Sequence, residues 1–356
     1  MEFMSARDAA DKWGISQRRV AILCSENRVA NARMVGNMWI IPADAEKPVD
    51  ARSLRYSKSE EKSVKPFLKW AGGKGQLLNE IAQYYPFTPK GVNRYAEPFV
   101  GGGAVLFDIL SKYNLKEVYI SDTNSELINA YIVVRDNVDS LISMLYAFQN
   151  EFLPLDTEIR KSYYFEKRDR FNHLIINNSK IDKVEKAALM IFLNRTCFNG
   201  LYRVNKRGLF NVPMGSYKNP LICDEDNLRT VSSLLKNVQI KCVDYRKSAD
   251  FIDENTFVYF DPPYRPLTET ASFTAYTENL FNDDEQIELA NFVDAMNKKG
   301  AKIVVSNSDP KNANEDDNFF DDIYSKLNVK RVEATRMINS KSDGRGKIKE
   351  LLISNF

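Results

Sequence analysis

The chain has almost no histidine. One imidazole, His173, occurs among 356 residues, which excludes chemistry built on several imidazoles, including the His-x-Glu zinc centre of nucleobase deaminases. His173 itself is expected on the surface or on a helix. Cysteine is scarce too: Cys24, Cys197, Cys223 and Cys242 form no C-x-x-C pair and lie far from the histidine. They read as reduced intracellular thiols, not as a zinc site or a disulfide frame, so no metal is expected. No apolar run approaches the length of a membrane span, and no basic stretch with an apolar segment behind it opens the chain. A cytoplasmic protein without a membrane partner is the expectation. The glycines form neither G-x-G-x-x-G nor G-K-[ST], so a nicotinamide fingerprint and a P-loop are both missing.

Acid is absent from one long window. Between Lys186 and Cys223 there is no Asp or Glu in a chain carrying 48 of them, while Lys186, Arg195, Arg203, Lys206, Arg207 and Lys218 are basic. That distribution suggests a surface facing phosphates; the bland alternative is chance clustering beside the buried helix AALMIFLN. The net charge of +2 decides nothing by itself. The 44% hydrophobic content supports an ordinary core, and the length allows two domains or one large domain with an appendage.

The first fifty residues read as a unit. Ser5 to Asp8 has the S-x-x-D capping pattern ahead of a helix with Ala9, Ala10 and Trp13 on its apolar face, closed by Gly14. Ser16 can cap a second helix, QRRVAILC, with Arg18 and Arg19 outward. RMVGNMWIIP then alternates around Gly36-Asn37 as a hairpin ending at Pro42. Helix, turn, helix and hairpin resemble the winged helix-turn-helix of excisionase and MerR-like modules, with Gln17, Arg18 and Arg19 opening the recognition helix. A small helical interaction domain is the competing reading. Residues 51–65, charged and small, read as a linker.

From residue 66 to 356, strands and helices alternate. Strands are expected at 94–99, 117–122, 238–244, 257–263, 301–308, 328–334 and 348–356, with helices such as 125–135 and 283–298 between them. This is the pattern of a doubly wound α/β sheet covered by helices on both faces. The interval 137–237 breaks the rhythm: it is mainly helical, with a hairpin-like NKRGLFNVP, and reads as an inserted lobe.

Three expected strand ends carry unusual sequence, and ligands of open α/β sheets sit at strand carboxyl ends. EPFVGGG places three glycines between a strand and an apolar helix, where backbone can approach a ligand at the helix's positive end; a bare tight turn is the alternative. Asp122, about twenty residues on, stands where an acid accepts from ribose hydroxyls, or else one of Asp122, Asn124 and Ser125 merely caps the next helix. FVYFDPPY ends an apolar run in an acid, two prolines and an aromatic. An exocyclic amine on a base is a poor nucleophile because its lone pair is delocalised into the ring. A carboxylate and a stiffly aimed carbonyl can accept its two N–H bonds, and Tyr264 offers a face to an extruded base. A plain strand-terminating turn is the alternative.

FLKWAGGK (67–74), EPFVGGG (97–103), SDTN (121–124), CFNGLYRVN (197–205) and DPPY (261–264) occur in the order found in DNA adenine-N6 methyltransferases of the Dam type. From residue 65 to 356 the chain resembles these GATC-recognising enzymes; the N-terminal fifty residues are a departure. The resemblance implies a Rossmann-like methyltransferase sheet, S-adenosylmethionine as cofactor and double-stranded DNA as partner, and leaves the oligomeric state open. Trp70, Lys74, Phe99, Gly101, Gly103, Asp122 and Asp261 then map to cofactor binding, though Trp70 could equally be core. Asp261, Pro262 and Tyr264 map to catalysis. Lys69 and the hairpin residues Phe198, Leu201, Arg203 and Asn205 map to DNA contacts, with Phe198 as the wedge and Arg203 suited to guanine O6 and N7. Asp244 could touch the cofactor's adenine or end a strand. The expected reaction is methylation of adenine N6 within GATC, in restriction–modification or phage protection. Methylation of cytosine N4, RNA or a glutamine amide is a rival, and so is an inactive DNA-binding regulator.

Overall fold

In a computed structural model, residues 3–25, 29, 31–36, 38–47, 64–88, 91–177, 182–265, 281–335 and 347–356 are described. The chain divides into two compact units, Met1–Ser63 and Val64–Phe356.

In the smaller unit, Ser5 caps α1 (Ala6–Trp13): its side chain accepts from the Asp8 backbone while the Asp8 carboxylate accepts the Ser5 N–H at 3.1 Å. The helix stops because Gly14 takes up the left-handed conformation, φ 64°, that side chains resist. Helix α2 (Gln17–Ser25) follows, and strands β2 (Arg33–Val35) and β3 (Met38–Pro42) pair antiparallel on either side of Gly36. A third strand, β1 (Phe3–Ser5), pairs antiparallel with β3 and has no sequence signal; three residues are too few to show a period. Ala9, Trp13, Val20, Leu23 and Ile41 form the core. Most of the expected linker, 51–63, lies outside the described residues, and Val64 and Lys65 belong to the larger unit.

That unit is built on seven strands in the order β6-β5-β4-β7-β8-β10-β9. Strands β4 (Arg94–Glu97), β5 (Glu117–Asp122), β6 (Val238–Cys242), β7 (Thr256–Phe260) and β8 (Lys302–Ser308) are parallel, while β10 (Lys347–Ser354) inserts antiparallel between β8 and β9 (Asn328–Thr335). The chain runs outward from β4 through β5 to β6, then returns to β4's other side for β7 and β8, so the strand order reverses between β4 and β7. Ligands of open α/β sheets bind beside such a reversal.

Period-two alternation explains the burial. All five residues of β7 are buried. Phe257 and Tyr259 join the core on one face with Tyr95 and Ile120; Val258 and Phe260 join the other with Ala96, Ile303 and Val305. Helix α10 (Asp283–Lys298) covers the second face. On the first face lie the short α3 (Leu78–Ala82), α4 (Ala104–Lys112) and α5 (Ser125–Asp136). Asn124 caps α5, its side chain accepting the Glu126 and Leu127 N–H groups, so Asp122 is free of that duty.

The interval 137–237 holds α6 (Val138–Phe152), α7 (Thr157–Ile176), α8 (Lys183–Thr196) and α9 (Glu225–Leu235). This mainly helical insertion packs into the same unit as the sheet. Helix α8 is buried almost along its length, and Leu189, Ile191 and Phe192 share one core with Leu127 and Tyr131 of α5.

Candidate active site

Between β4 and α4 the backbone turns through Gly101 at φ 46° and Gly103 at φ 72°. Both angles lie in the left-handed region, where a Cβ is strained. Space is short as well: a Cβ on Gly103 would stand 2.4 Å from the Tyr131 hydroxyl, and one on Gly101 3.0 Å from the Trp70 ring. The Asp122 carboxylate, at the end of β5, accepts the Gly101 N–H at 3.2 Å and the Asn124 N–H at 2.9 Å. Burial raises this carboxyl above the usual carboxylate range, while those backbone donors pull it back. Phe99 stacks on Tyr245 at 5.2 Å. Asp244 spends its side chain on a cap, accepting the Arg246 N–H at 2.9 Å and pairing with the guanidinium. A glycine turn at a helix start, a carboxylate across from it and an aromatic face are a donor set that fits a nucleoside carrying a sulfonium.

Asp261 stands just past β7 on the other side of the strand reversal. Lys74 pairs with its Oδ1 at 2.8 Å and Ser306 donates to the same oxygen at 2.9 Å. Both of these contacts are to Oδ1. Burial raises the Asp261 carboxyl above the usual range, and the Lys74 ammonium and then Ser306 hold it down. The Lys74 ammonium also lies 4.6 Å from the Tyr264 ring centre, and the Tyr264 hydroxyl donates to Glu350 of β10 at 2.7 Å. Gln286, fully buried on α10, donates to the Pro263 carbonyl at 3.0 Å.

Lys69 and Trp70 run between this centre and the hairpin that follows α8. Trp70 is half-buried and stacks on Tyr202 at 5.2 Å, so it is neither plain core nor open surface. The Lys69 ammonium lies 4.6 Å from the Tyr217 ring centre. The hairpin closes through Asn205 N–H to Leu209 O at 2.9 Å and Asn211 N–H to Arg203 O at 3.1 Å. Phe198 is 52% exposed at its base. Leu201 is half-buried; Arg203 is exposed and donates to the Asn211 side chain at 2.9 Å. Asn205 is spent within the turn, accepting the Arg207 and Leu209 N–H groups.

The acid-free window is thus basic outward in part. Arg203, Lys206, Arg207 and Lys218 are exposed. Lys186 faces inward and pairs with buried Glu126 at 3.1 Å, and Arg195 donates to the Phe67 carbonyl at 3.0 Å. Helical position, not composition, turns those two away from solvent.

Sequence reasoning missed several groups around the site: Glu97, Asn194, Gln286, Ser306 and Glu350. Glu97 had a signal, an acid at the end of an apolar strand. It is 2% exposed, accepts from the Tyr95 hydroxyl at 2.7 Å, and burial pushes its carboxyl well above the usual range. The others are ordinary polar residues whose role exists only in three dimensions.

Comparison with known proteins fits this geometry. The family described as D12 class N6 adenine-specific DNA methyltransferase matches residues 70–338. The type II methyltransferase M.MjaIII of Methanocaldococcus jannaschii is 53% identical over 296 residues, which are 82% of this chain and 99% of that protein. The DNA adenine methylase of Escherichia coli K12 is 35% identical, covering 82% of this chain and 95% of the relative. The DNA N-6-adenine-methyltransferase of Escherichia phage P1 is 31% identical over 95% of this chain and 43% of its own length, a match that takes in most of the smaller unit. The chain therefore belongs to the D12 class of N6 adenine-specific DNA methyltransferases and is an adenine-specific DNA methyltransferase.

Proposed function

We propose that this enzyme transfers a methyl group from S-adenosylmethionine to adenine N6 in double-stranded DNA, within GATC, and that it serves restriction–modification or phage protection in the cytoplasm. The observation that carries the reading is Asp261, held by Lys74 and Ser306 through one oxygen at the strand reversal, with Tyr264 alongside. Trp70, Lys74, Phe99, Gly101, Gly103, Asp122 and Asp261 hold the cofactor, Asp122 accepting from the ribose hydroxyls. When bound, that cofactor supplies a methyl group on a positively charged sulfur, so the chain's own task is alignment.

Adenine N6 is made nucleophilic by hydrogen bonding. Asp261 Oδ2 and the Pro262 carbonyl accept its two N–H bonds, which favours the tetrahedral amine. The bound cofactor would supply the methyl group, and N6 would release one proton along its hydrogen bond to Asp261. Tyr264 stacks on the extruded base. Lys69, Phe198, Leu201, Arg203 and Asn205 face the duplex: Phe198 wedges into the stack, and Arg203 exchanges Asn211 for guanine O6 and N7.

The smaller unit adds a winged helix-turn-helix. Its support is the pair of helices with Gln17 and Arg18 exposed at the start of α2, beside the hairpin β2–β3.

Incubation with labelled S-adenosylmethionine and a set of duplexes differing at one base of GATC tests the reading. Label in N6-methyldeoxyadenosine from the GATC duplex alone is the expected result. Label in any other nucleoside, or undiminished activity of Asp261→Ala, would overturn it.

A further inference from the structure

Residues 64–70 belong to no helix or strand, yet their backbone is held at alternate positions by side chains of the 137–237 interval. Asn227 pairs with both backbone groups of Lys65, at 3.0 and 2.9 Å. Arg195 holds the Phe67 carbonyl. Asn194, on α8, repeats the two-point pairing at Lys69: its Oδ1 accepts the Lys69 N–H at 2.8 Å and its Nδ2 donates to the Lys69 carbonyl at 2.8 Å.

Asn194 does one thing that Asn227 does not. The same Nδ2 donates to the Gly200 carbonyl at 2.9 Å, which fastens the Phe198–Gly200 turn to the Lys69 backbone. Packing agrees with the bonding: Gly200 sits at φ 65°, and a Cβ there would stand 2.3 Å from Lys69 Cδ. The turn is strained, with Asn199 at φ 56°, and such a conformation persists only where its surroundings fix it. Asn194 is 2% exposed, so water cannot readily replace its three bonds.

We propose that Asn194 is a positioning residue for DNA recognition: one buried amide joins the Lys69 backbone and the Phe198–Gly200 turn into a single rigid piece, so that the ammonium and the wedge meet the duplex in a fixed geometry. It touches neither base nor cofactor. The inference rests on the proposed DNA-facing roles of Lys69 and Phe198.

The test uses the full chain and five variants: Asn194→Ala, Asn194→Ser, Asn227→Ala, Lys69→Ala and Phe198→Ala. Affinity is measured for a GATC duplex and its single-base variants, and extrusion by the fluorescence of 2-aminopurine at the target position. Cofactor affinity and thermal midpoint are measured beside them. Asn194→Ala is expected to weaken GATC binding by about tenfold, the scale of a buried amide losing its partners, to flatten discrimination and to reduce the extrusion signal, with cofactor affinity unchanged. Asn194→Ser keeps a donor and an acceptor and recovers part of the loss. Asn227→Ala keeps discrimination intact. If Asn194→Ala does not fold, Asn194→Ser carries the test and is expected to show a smaller loss of the same kind.

Intact discrimination and extrusion in both Asn194 variants, with either lost in Lys69→Ala or Phe198→Ala, would overturn the proposal and leave the DNA-facing reading standing. Equal losses in Asn194→Ala and Asn227→Ala would reduce Asn194 to general stiffening and also overturn it. Wild-type recognition by both Lys69→Ala and Phe198→Ala would instead remove the reading on which it rests.

Discussion

Asp261 is pulled in two directions. Burial favours its neutral form, and the Lys74 ammonium favours the carboxylate, with Ser306 adding to the second effect and buried Glu97 close by. An ionised Asp261 is the form that accepts from an amine, so activity should rise with pH through its folded pKa. Lys74→Met removes the cation and leaves burial opposed only by Ser306, so the pKa rises. The acidic limb of the kcat–pH profile, measured at saturating cofactor, is therefore expected to move to higher pH; an unmoved or lowered limb would contradict the assignment. Tyr264 allows a second test. Tyr264→Phe keeps the ring but loses the bond to Glu350, and a small loss of kcat/KM is expected. Tyr264→Ala loses the stacking face, worth about 1–3 kcal/mol per base, and its kcat/KM should fall much further. Similar losses in the two variants would show that the hydroxyl, not the ring, matters.

Among elements, the turn from β4 into α4 has little room for change. Gly101 and Gly103 take left-handed backbone, as many turn glycines do, but a Cβ on either would also meet another side chain. Gly208, at the hairpin tip, separates the two effects: its φ is 71°, with nothing within 4 Å of a built Cβ. Gly208→Ala should cost only the conformational strain, about 1–2 kcal/mol. Gly103→Ala meets the same strain and the Tyr131 hydroxyl at 2.4 Å, and is expected to lower the urea midpoint clearly further. Equal midpoints in the two variants would mean that Tyr131 yields without cost.

The legibility of each element follows its length and period. The expected strands at 117–122 and 301–308 coincide with β5 and β8 to within a residue, because a short run of β-branched and aromatic residues bounded by polar ones (VYI in β5, IVV in β8) suits a strand buried on both faces. The helix expected over 283–298 is α10 to the residue, its start fixed by the Asn282 cap. The strands expected over 94–99 and 257–263 end earlier, because Pro98 and Pro262 stop the pairing. β1 is illegible in the sequence because its pairing with β3 is the only reason it is a strand.

For the whole molecule, the two units have separate cores, with Trp13 and Val20 in one and the sheet residues in another. Removing residues 1–63 is therefore expected to leave both the thermal midpoint of the larger unit and methylation of a short GATC duplex unchanged. If the smaller unit grips DNA, truncation should also flatten the dependence of non-specific affinity on salt, by about 0.9 in slope for each phosphate no longer neutralised. An unchanged slope would dispose of the helix-turn-helix reading.

Sequence alone determined the alternation of strands and helices, the cap of α1, and the ordered motifs that place an acid and two prolines after a buried strand. These are local facts, set by backbone geometry and side-chain period over a few residues. Only the tertiary structure decided which polar groups meet. It turned Lys186 and Arg195 inward, gave Asp261 its partners Lys74 and Ser306 from distant segments, set Glu350 against Tyr264 and brought Asn194 to Lys69. Such pairings depend on the crossing of elements far apart in the chain, and no local propensity records them.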